Sequence, residues 1–279
     1  MLRTEHLDPT GCTLKGHPML AAPGRPSLAQ MPETLDDLLL SIVSQQTQSR
    51  QHATFVQLGA NDGQMNDPLY RHMLTHNASW LGILVEPQPK LFGSLVHLHK
   101  ESYLWTFYNG AIGGRQCNNG TLFFCVSLSQ GEGSWTTQGQ IGQISWTHRD
   151  NSKRCPPGHT PQQMPCLKSV NELVQKHAST QFILQSRVCD VESSQIDHCF
   201  HAIDLLQLDV EGSELRVLQQ LDWDIISPLC IHFEHAHLGS DNKPLMDLLK
   251  TQGYQLKKMA RGGRKPMDTL ACRITTPRD

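Results

Sequence analysis

The sequence predicts an α/β fold: a mostly parallel seven-stranded sheet with helices on both faces, an antiparallel final strand, and an insertion before the fourth strand. Three observations predict it. Short apolar runs alternate with helix-like segments from Thr54 onward, the first run ends in the glycine-bearing turn FVQLGANDGQ, and two further runs close the chain around a basic, glycine-rich turn.

Taken in order, residues 1–31 carry Pro9, Gly11, Gly16, Pro18, Pro23, Gly24 and Pro26 without an apolar period, which predicts a flexible leader ahead of one domain over 32–279. A first helix begins near Pro32, because Leu35, Leu38, Leu39, Ile42 and Val43 form one apolar stripe and Thr34 can cap it. Strands are expected at Phe55 to Leu58, Leu81 to Val85, Trp105 to Tyr108, Ile203 to Leu208 and Leu229 to Phe233. Helices are expected at Pro68 to His76, Pro89 to His99, Glu214 to Leu221 and Lys243 to Gln252. Tyr254 to Lys258 and Thr269 to Ile274 read as a closing antiparallel pair. Between 113 and 201 the alternation breaks, predicting an irregular insertion with a strand at Thr121 to Val126, a short helix at Lys168 to His177 and a mobile loop at Gly131 to Gly142.

At 279 residues the chain can bury a full core, and a net charge of -2 predicts no general attraction to nucleic acid or anionic membrane. No apolar run approaches the roughly 18 residues that span a bilayer. The N-terminus lacks the layout of a secretory signal, so the expected location is intracellular and soluble, in the cytoplasm unless the leader directs the chain to an organelle. Nine scattered cysteines then read as reduced thiols. The glycosylation-type triplets Asn77-Ala78-Ser79 and Asn119-Gly120-Thr121 read as chance, since they matter only outside that setting.

In an open parallel sheet, ligands bind beyond the carboxyl ends of the strands, and FVQLGANDGQ occupies that place. Gly59 lets the chain turn, and Gly63 removes a side chain where backbone would approach a ligand. A dinucleotide fingerprint wants a third glycine and no acid facing the pyrophosphate, whereas this loop carries Asp62. S-adenosylmethionine has no phosphate and bears an ammonium and a sulfonium, so an acid-bearing turn suits it better. Glu86, in LVEPQP, ends the second strand 23 residues after Gly63 and can accept hydrogen bonds from ribose hydroxyls. Either an NAD or an S-adenosylmethionine adenosine could use it.

Read together, FVQLGANDGQMNDPLY, ILVEPQPKLFGSL, NGAIGG and LLQLDVEGSELRVLQQLDW resemble the successive motifs of the FkbM family of methyltransferases, with a Rossmann-like class I fold. The resemblance implies S-adenosylmethionine as cofactor and a hydroxyl of a sugar-like or secondary-metabolite small molecule as acceptor. It implies that Gly59, Ala60, Asn61, Asp62 and Gly63 line the methionine and ribose portion, Glu86 holds the ribose, Asn109 and Ala111 flank the adenine, and Asp209 stands by the methyl group. Gln57 departs from the wider class, which often has an acid there, leaving the ammonium to Asp62 or Asp209.

Asp209 and Glu211 are expected to orient the acceptor, and the fifth strand, IHFEHAHL, offers His232 or His235 as a base. No metal is expected, ordinary strand-end polarity being the preferred reading; Asp209, Glu234 and His235 are the set a divalent ion would use. Cys155, His159 and Cys166, and the pair Cys189 and Cys199, match no common zinc spacing. The run Lys257, Lys258, Arg261, Arg264 and Lys265 reads as a solvated hairpin turn. Against the enzyme stand a non-catalytic binding module of the same fold and, with its glycine missing, an NAD-dependent oxidoreductase.

Overall fold

The computed structural model describes residues 28–48, 51–65, 67–127, 159–189, 199–259 and 267–274. Helix α1 (Leu35–Gln48) opens with a reciprocal cap: the Asp37 backbone N–H donates to Thr34 Oγ1 at 3.1 Å, and the Thr34 N–H donates back to Asp37 Oδ2 at 2.9 Å. Strand β1 (Ala53–Leu58) follows, then α2 (Tyr70–His76), β2 (Trp80–Val85), α3 (Pro89–Leu98) and β3 (Trp105–Tyr108). After the segment expected to be irregular come β8 (Cys199–Leu208), α6 (Glu214–Gln219), β9 (Ile226–Glu234), α7 (Asn242–Thr251), β10 (Tyr254–Met259) and β11 (Asp268–Arg273).

The sheet runs β3–β2–β1–β8–β9–β11–β10, with β11 antiparallel to both of its neighbours and the others parallel. Every residue of β1 and β2 is buried, and since successive side chains point to opposite faces, both faces of the sheet centre are covered. Strand order reverses between β1 and β8, so a crevice opens past their carboxyl ends. Phe55 packs edge-on against Trp80 and Trp105 at 5.8 and 5.5 Å between centroids, in space left by Gly82, where a Cβ would strike the Phe55 ring. On the β8 side of β1, buried Asp204 accepts from the Thr54 N–H at 2.7 Å and from Gln46 Nε2 at 3.3 Å, joining β8, β1 and α1.

Three expectations are corrected. The region between β3 and β8 carries more order than its composition suggests. Strand β4 (Ala111–Ile112), β5 (Thr121–Ser127) and β6 (His159–Leu167) form a second sheet, while α4 (Val170–His177), α5 (Thr180–Ser186) and β7 (Arg187–Cys189) lead back to an antiparallel pairing of β7 on β8. Ser169 and Ser179 cap α4 and α5, a local signal that glycine and glutamine content obscured. Second, Leu28, placed within the leader, is buried and bridges to Ile274. Third, four of the cysteines are paired, Cys117 with Cys166 and Cys230 with Cys272. Sheet register sets Cys230 opposite Cys272, a proximity that sequence spacing cannot reveal. The rest of the leader, the Gly131 to Gly142 loop, Cys155, and Arg261, Arg264 and Lys265 lie outside the described residues. Among the described residues no helix is long and apolar enough to cross a membrane.

Candidate active site

The two strands at the reversal point meet at Gly59 and Asp209. The Asp209 N–H donates to the Leu58 carbonyl at 2.9 Å, and Gly59, at φ 79°, lies so close that a Cβ there would collide with the Asp209 carbonyl oxygen. Only glycine fits. Gly59 and Ala60 both donate their N–H groups to the Val85 carbonyl at 3.0 Å, which ties the loop to the end of β2. Gly63 has a different reason from the expected ligand approach. Its Cβ would meet Leu95 Cδ1 at 2.7 Å and His99 Nε2 at 2.8 Å, so glycine is needed for packing of the loop onto α3 and the residue after it.

Glu86 is buried at the end of β2 and organises the loop from within. Its Oε2 accepts from the Asn61 N–H at 2.9 Å and its Oε1 from the Gln88 N–H at 2.8 Å. A carboxylate has about four lone-pair positions, and these two bonds occupy two of them. Burial, outweighing those two N–H donors, pushes its pKa up to about 7. Asn61 takes a left-handed φ of 53°, and its side-chain oxygen accepts from the Asp62 N–H at 2.7 Å. Asp62 Oδ1 caps the Gln64 and Met65 N–H groups at 3.0 and 2.7 Å, so one of its oxygens shapes the loop. Asn109 donates to the carbonyls of Glu86 and Pro87 at 2.8 and 3.3 Å, fixing the ends of β2 and β3 to each other. Gln57 is buried within β1. Ala111, expected beside the adenine, is instead packed with Cys117, Leu122, Met164 and Cys166 in the small core of the second sheet. The β4–β6 pairing draws it there.

Beyond Asp209 the chain turns sharply: Glu211 has φ 52° and Gly212 φ 91°, and a Cβ on Gly212 would meet the His237 carbonyl at 2.8 Å. Fully buried Glu214 holds this turn, its Oε1 accepting from the Val210 N–H at 3.1 Å and the Gly212 N–H at 3.4 Å. Burial pushes Glu214 up to about 7. The turn delivers Glu211 to the end of β9, where His237 Nε2 stands 3.7 Å from Glu211 Oε2 and 3.6 Å from Glu234 Oε1. One donor atom from each of the three lies within 4.8 Å of the others. Glu211 is raised above the usual carboxylate range, first by burial, with His237 opposing and Glu234 reinforcing.

The strand histidines fall elsewhere than expected. His232 is 2% exposed, with Nδ1 2.6 Å from Gln207 Oε1 and Nε2 3.9 Å from Asp268 Oδ2. A base must reach its substrate, and His232 is covered. His235 projects to β11, where its Nδ1 lies 3.0 Å from Thr269 Oγ1, so it does not complete a metal set with Glu234. His237 takes that place. The signal for it was present in IHFEHAHL, but alternation along a strand ceases at Glu234, where β9 ends, and the turn beyond swings His237 back.

No curated protein matches this chain. Similar solved structures include the delta-N METTL16 MTase domain (11% identity, 88% of each chain covered, TM-score 0.40). A human methyltransferase 10 domain containing protein is 11% identical over 88% of this chain and 85% of that one, with a TM-score of 0.38. Precorrin-6y C5,15-methyltransferase from Geobacter metallireducens is 9% identical, covering 89% and 93%, with a TM-score of 0.36. At those scores the likenesses carry no weight. The family model of the Methyltransferase FkbM domain, however, matches residues 57–256, most of the chain and every loop described above. This chain belongs to the FkbM methyltransferase family, an S-adenosylmethionine-dependent group.

Proposed function

We propose that this methyltransferase acts on oxygen, methylating a hydroxyl of a sugar-like or secondary-metabolite small molecule. The observation that carries the reading is the cluster of Glu211, Glu234 and His237 past the ends of β8 and β9, with Glu211 two residues beyond Asp209 in the chain. The adenosine end fits Glu86, a hydrogen-bond acceptor at the end of β2, and the 59–63 loop and Asn109 frame that position. Bound there, S-adenosylmethionine supplies an electrophilic methyl group.

The residues of the chain do the rest. Direct displacement rewards in-line positioning, so Asp209 and Glu211 orient the acceptor hydroxyl. His237 is 41% exposed, within reach of an incoming molecule, and takes the hydroxyl proton at Nε2. Glu211 and Glu234 flank that nitrogen and stabilise the imidazolium as it forms. The test is transfer of labelled methyl groups from S-adenosylmethionine to metabolite extracts, followed by identification of the labelled atom. Label on oxygen, lost in Asp209→Asn with the fold intact, is the expected result. Label on nitrogen or carbon, or cofactor binding with no labelled acceptor, would overturn the reading.

A further inference from the structure

Two features that the methyltransferase site does not use come together once the fold is known. Both glycosylation-type triplets present their asparagine at the surface: Asn77 is exposed at the start of a short 3-10 turn, Asn77–Ser79, and Asn119 is exposed at the tip of a hairpin. That tip, Asn118 to Thr121, is closed by reciprocal backbone bonds of 3.1 and 3.0 Å, with Asn119 at φ 49° and Gly120 at φ 76°. It is the two-residue Asn-Gly turn of a tight hairpin, with both turn residues exposed.

The second feature is the state of the cysteines. Cys117 and Cys166 are 4% and 3% exposed, and Cys230 and Cys272 are both fully buried, so two disulfides are sealed inside two separate cores. Disulfides of this kind form where an oxidant reaches the folding chain and persist because thiols cannot reach them afterwards. The backbone register of β7 and β8 sets a third pair of cysteines, Cys189 and Cys199, opposite each other. Cys117 lies two residues before Asn119, and the Cys166 N–H donates to the Gly120 carbonyl at 2.9 Å, so one triplet sits on the disulfide-braced hairpin itself.

We propose that the chain matures in an oxidising compartment and is N-glycosylated there at Asn77 and Asn119. In that step the side-chain amide nitrogen bonds to the anomeric carbon of a lipid diphosphate-linked oligosaccharide, the lipid diphosphate leaves, and the amide gives up one proton. Each bridge forms by exchange with the disulfide of an oxidoreductase, which accepts two electrons and two protons and departs as a dithiol. The order is compatible with the fold. Cys166 follows Cys117 by 49 residues, so Asn119 can be modified on an extended chain before the bridge closes the hairpin. A glycan on Asn77 leaves the methyl-transfer site open, because Asn77 precedes β2 and thus lies at the amino-terminal edge of the parallel strands, opposite the Gly59–Asp209 crevice.

Expression of the full chain in a eukaryotic host tests this with two readouts. Amidase removal of N-glycans should shift the band, with one step lost in Asn77→Gln, one in Asn119→Gln and both in the double variant. Alkylation before reduction, read by mass spectrometry, should leave Cys117, Cys166, Cys230 and Cys272 unmodified. No amidase shift, or complete alkylation of these four thiols in denatured, unreduced protein, would overturn the proposal. Neither readout depends on methyl transfer, so the methylation reading stands or falls separately.

Discussion

Glu86 holds Asn61: its carboxylate accepts the Asn61 N–H at 2.9 Å across the gap between the ends of β1 and β2, while its other oxygen accepts the Gln88 N–H. One buried acid therefore shapes the 59–63 loop and stands at the position proposed for the ribose. Glu86→Gln keeps one acceptor oxygen but turns a donor toward one of those N–H groups. Calorimetry should record S-adenosylmethionine binding weakened by about 10- to 100-fold, the equivalent of a charged hydrogen bond. Unchanged affinity would remove Glu86 from the cofactor site.

Buried carboxyls give stability a definite pH dependence. Glu86 and Glu214 are raised from 4.5 to about 7 and Asp204 from 3.8 to about 6. Between the unfolded and folded values the native protein holds protons that the unfolded chain has released. Their contribution is thus full below about pH 4 and is lost as pH rises through about 7. His72, lowered to about 4 by burial, acts in the opposite sense below pH 6.5. The clean measurement is therefore a difference: denaturant unfolding of wild type and Glu214→Gln at pH 5 and pH 8. The variant keeps an acceptor for the Val210 N–H, and it should lose less stability on going to pH 8, by on the order of 1–3 kcal/mol.

Two glycines separate space from conformation. Gly59→Ala adds a Cβ into the Asp209 carbonyl at a positive φ, and should cost about 1–3 kcal/mol from backbone strain alone, with cofactor binding lost as β1 and β8 are pushed apart. Gly93 lies in α3, where an added Cβ would have nothing within 4 Å, so Gly93→Ala should instead stabilise by about 0.5–1 kcal/mol. Thermal or chemical unfolding of both variants provides the comparison.

His237→Asn should lower kcat about 10²- to 10⁴-fold, the usual worth of a general base, while cofactor affinity is unchanged. Wild-type transfer should survive treatment with EDTA. Activity lost on chelation and restored by added divalent ion would reassign Glu211, Glu234 and His237 to a cation, whose ligand chemistry they also match.

The strand and helix alternation, the cap at Thr34 and the turn at Gly59 were readable because each depends on a few neighbouring residues. The strand-end positions of Glu86 and Asp209 were readable for a related reason, since strand ends in a parallel sheet converge on one edge whatever the connections between them. The histidines were not. His232, His235 and His237 lie within six residues, and choosing among them requires knowing where β9 ends and which face β11 covers. The packing of Ala111 was not readable, because its short strand is recruited by β6, more than fifty residues away.

By itself the sequence determined the sheet, the order of its central strands along the chain and the family, since these rest on local periodicity and motifs in order. The tertiary structure alone decided which cysteines meet, which histidine joins Glu211 and Glu234, and why Gly63 must be glycine. All three are contacts between segments distant along the chain, and such proximity is set by sheet register and packing rather than by spacing.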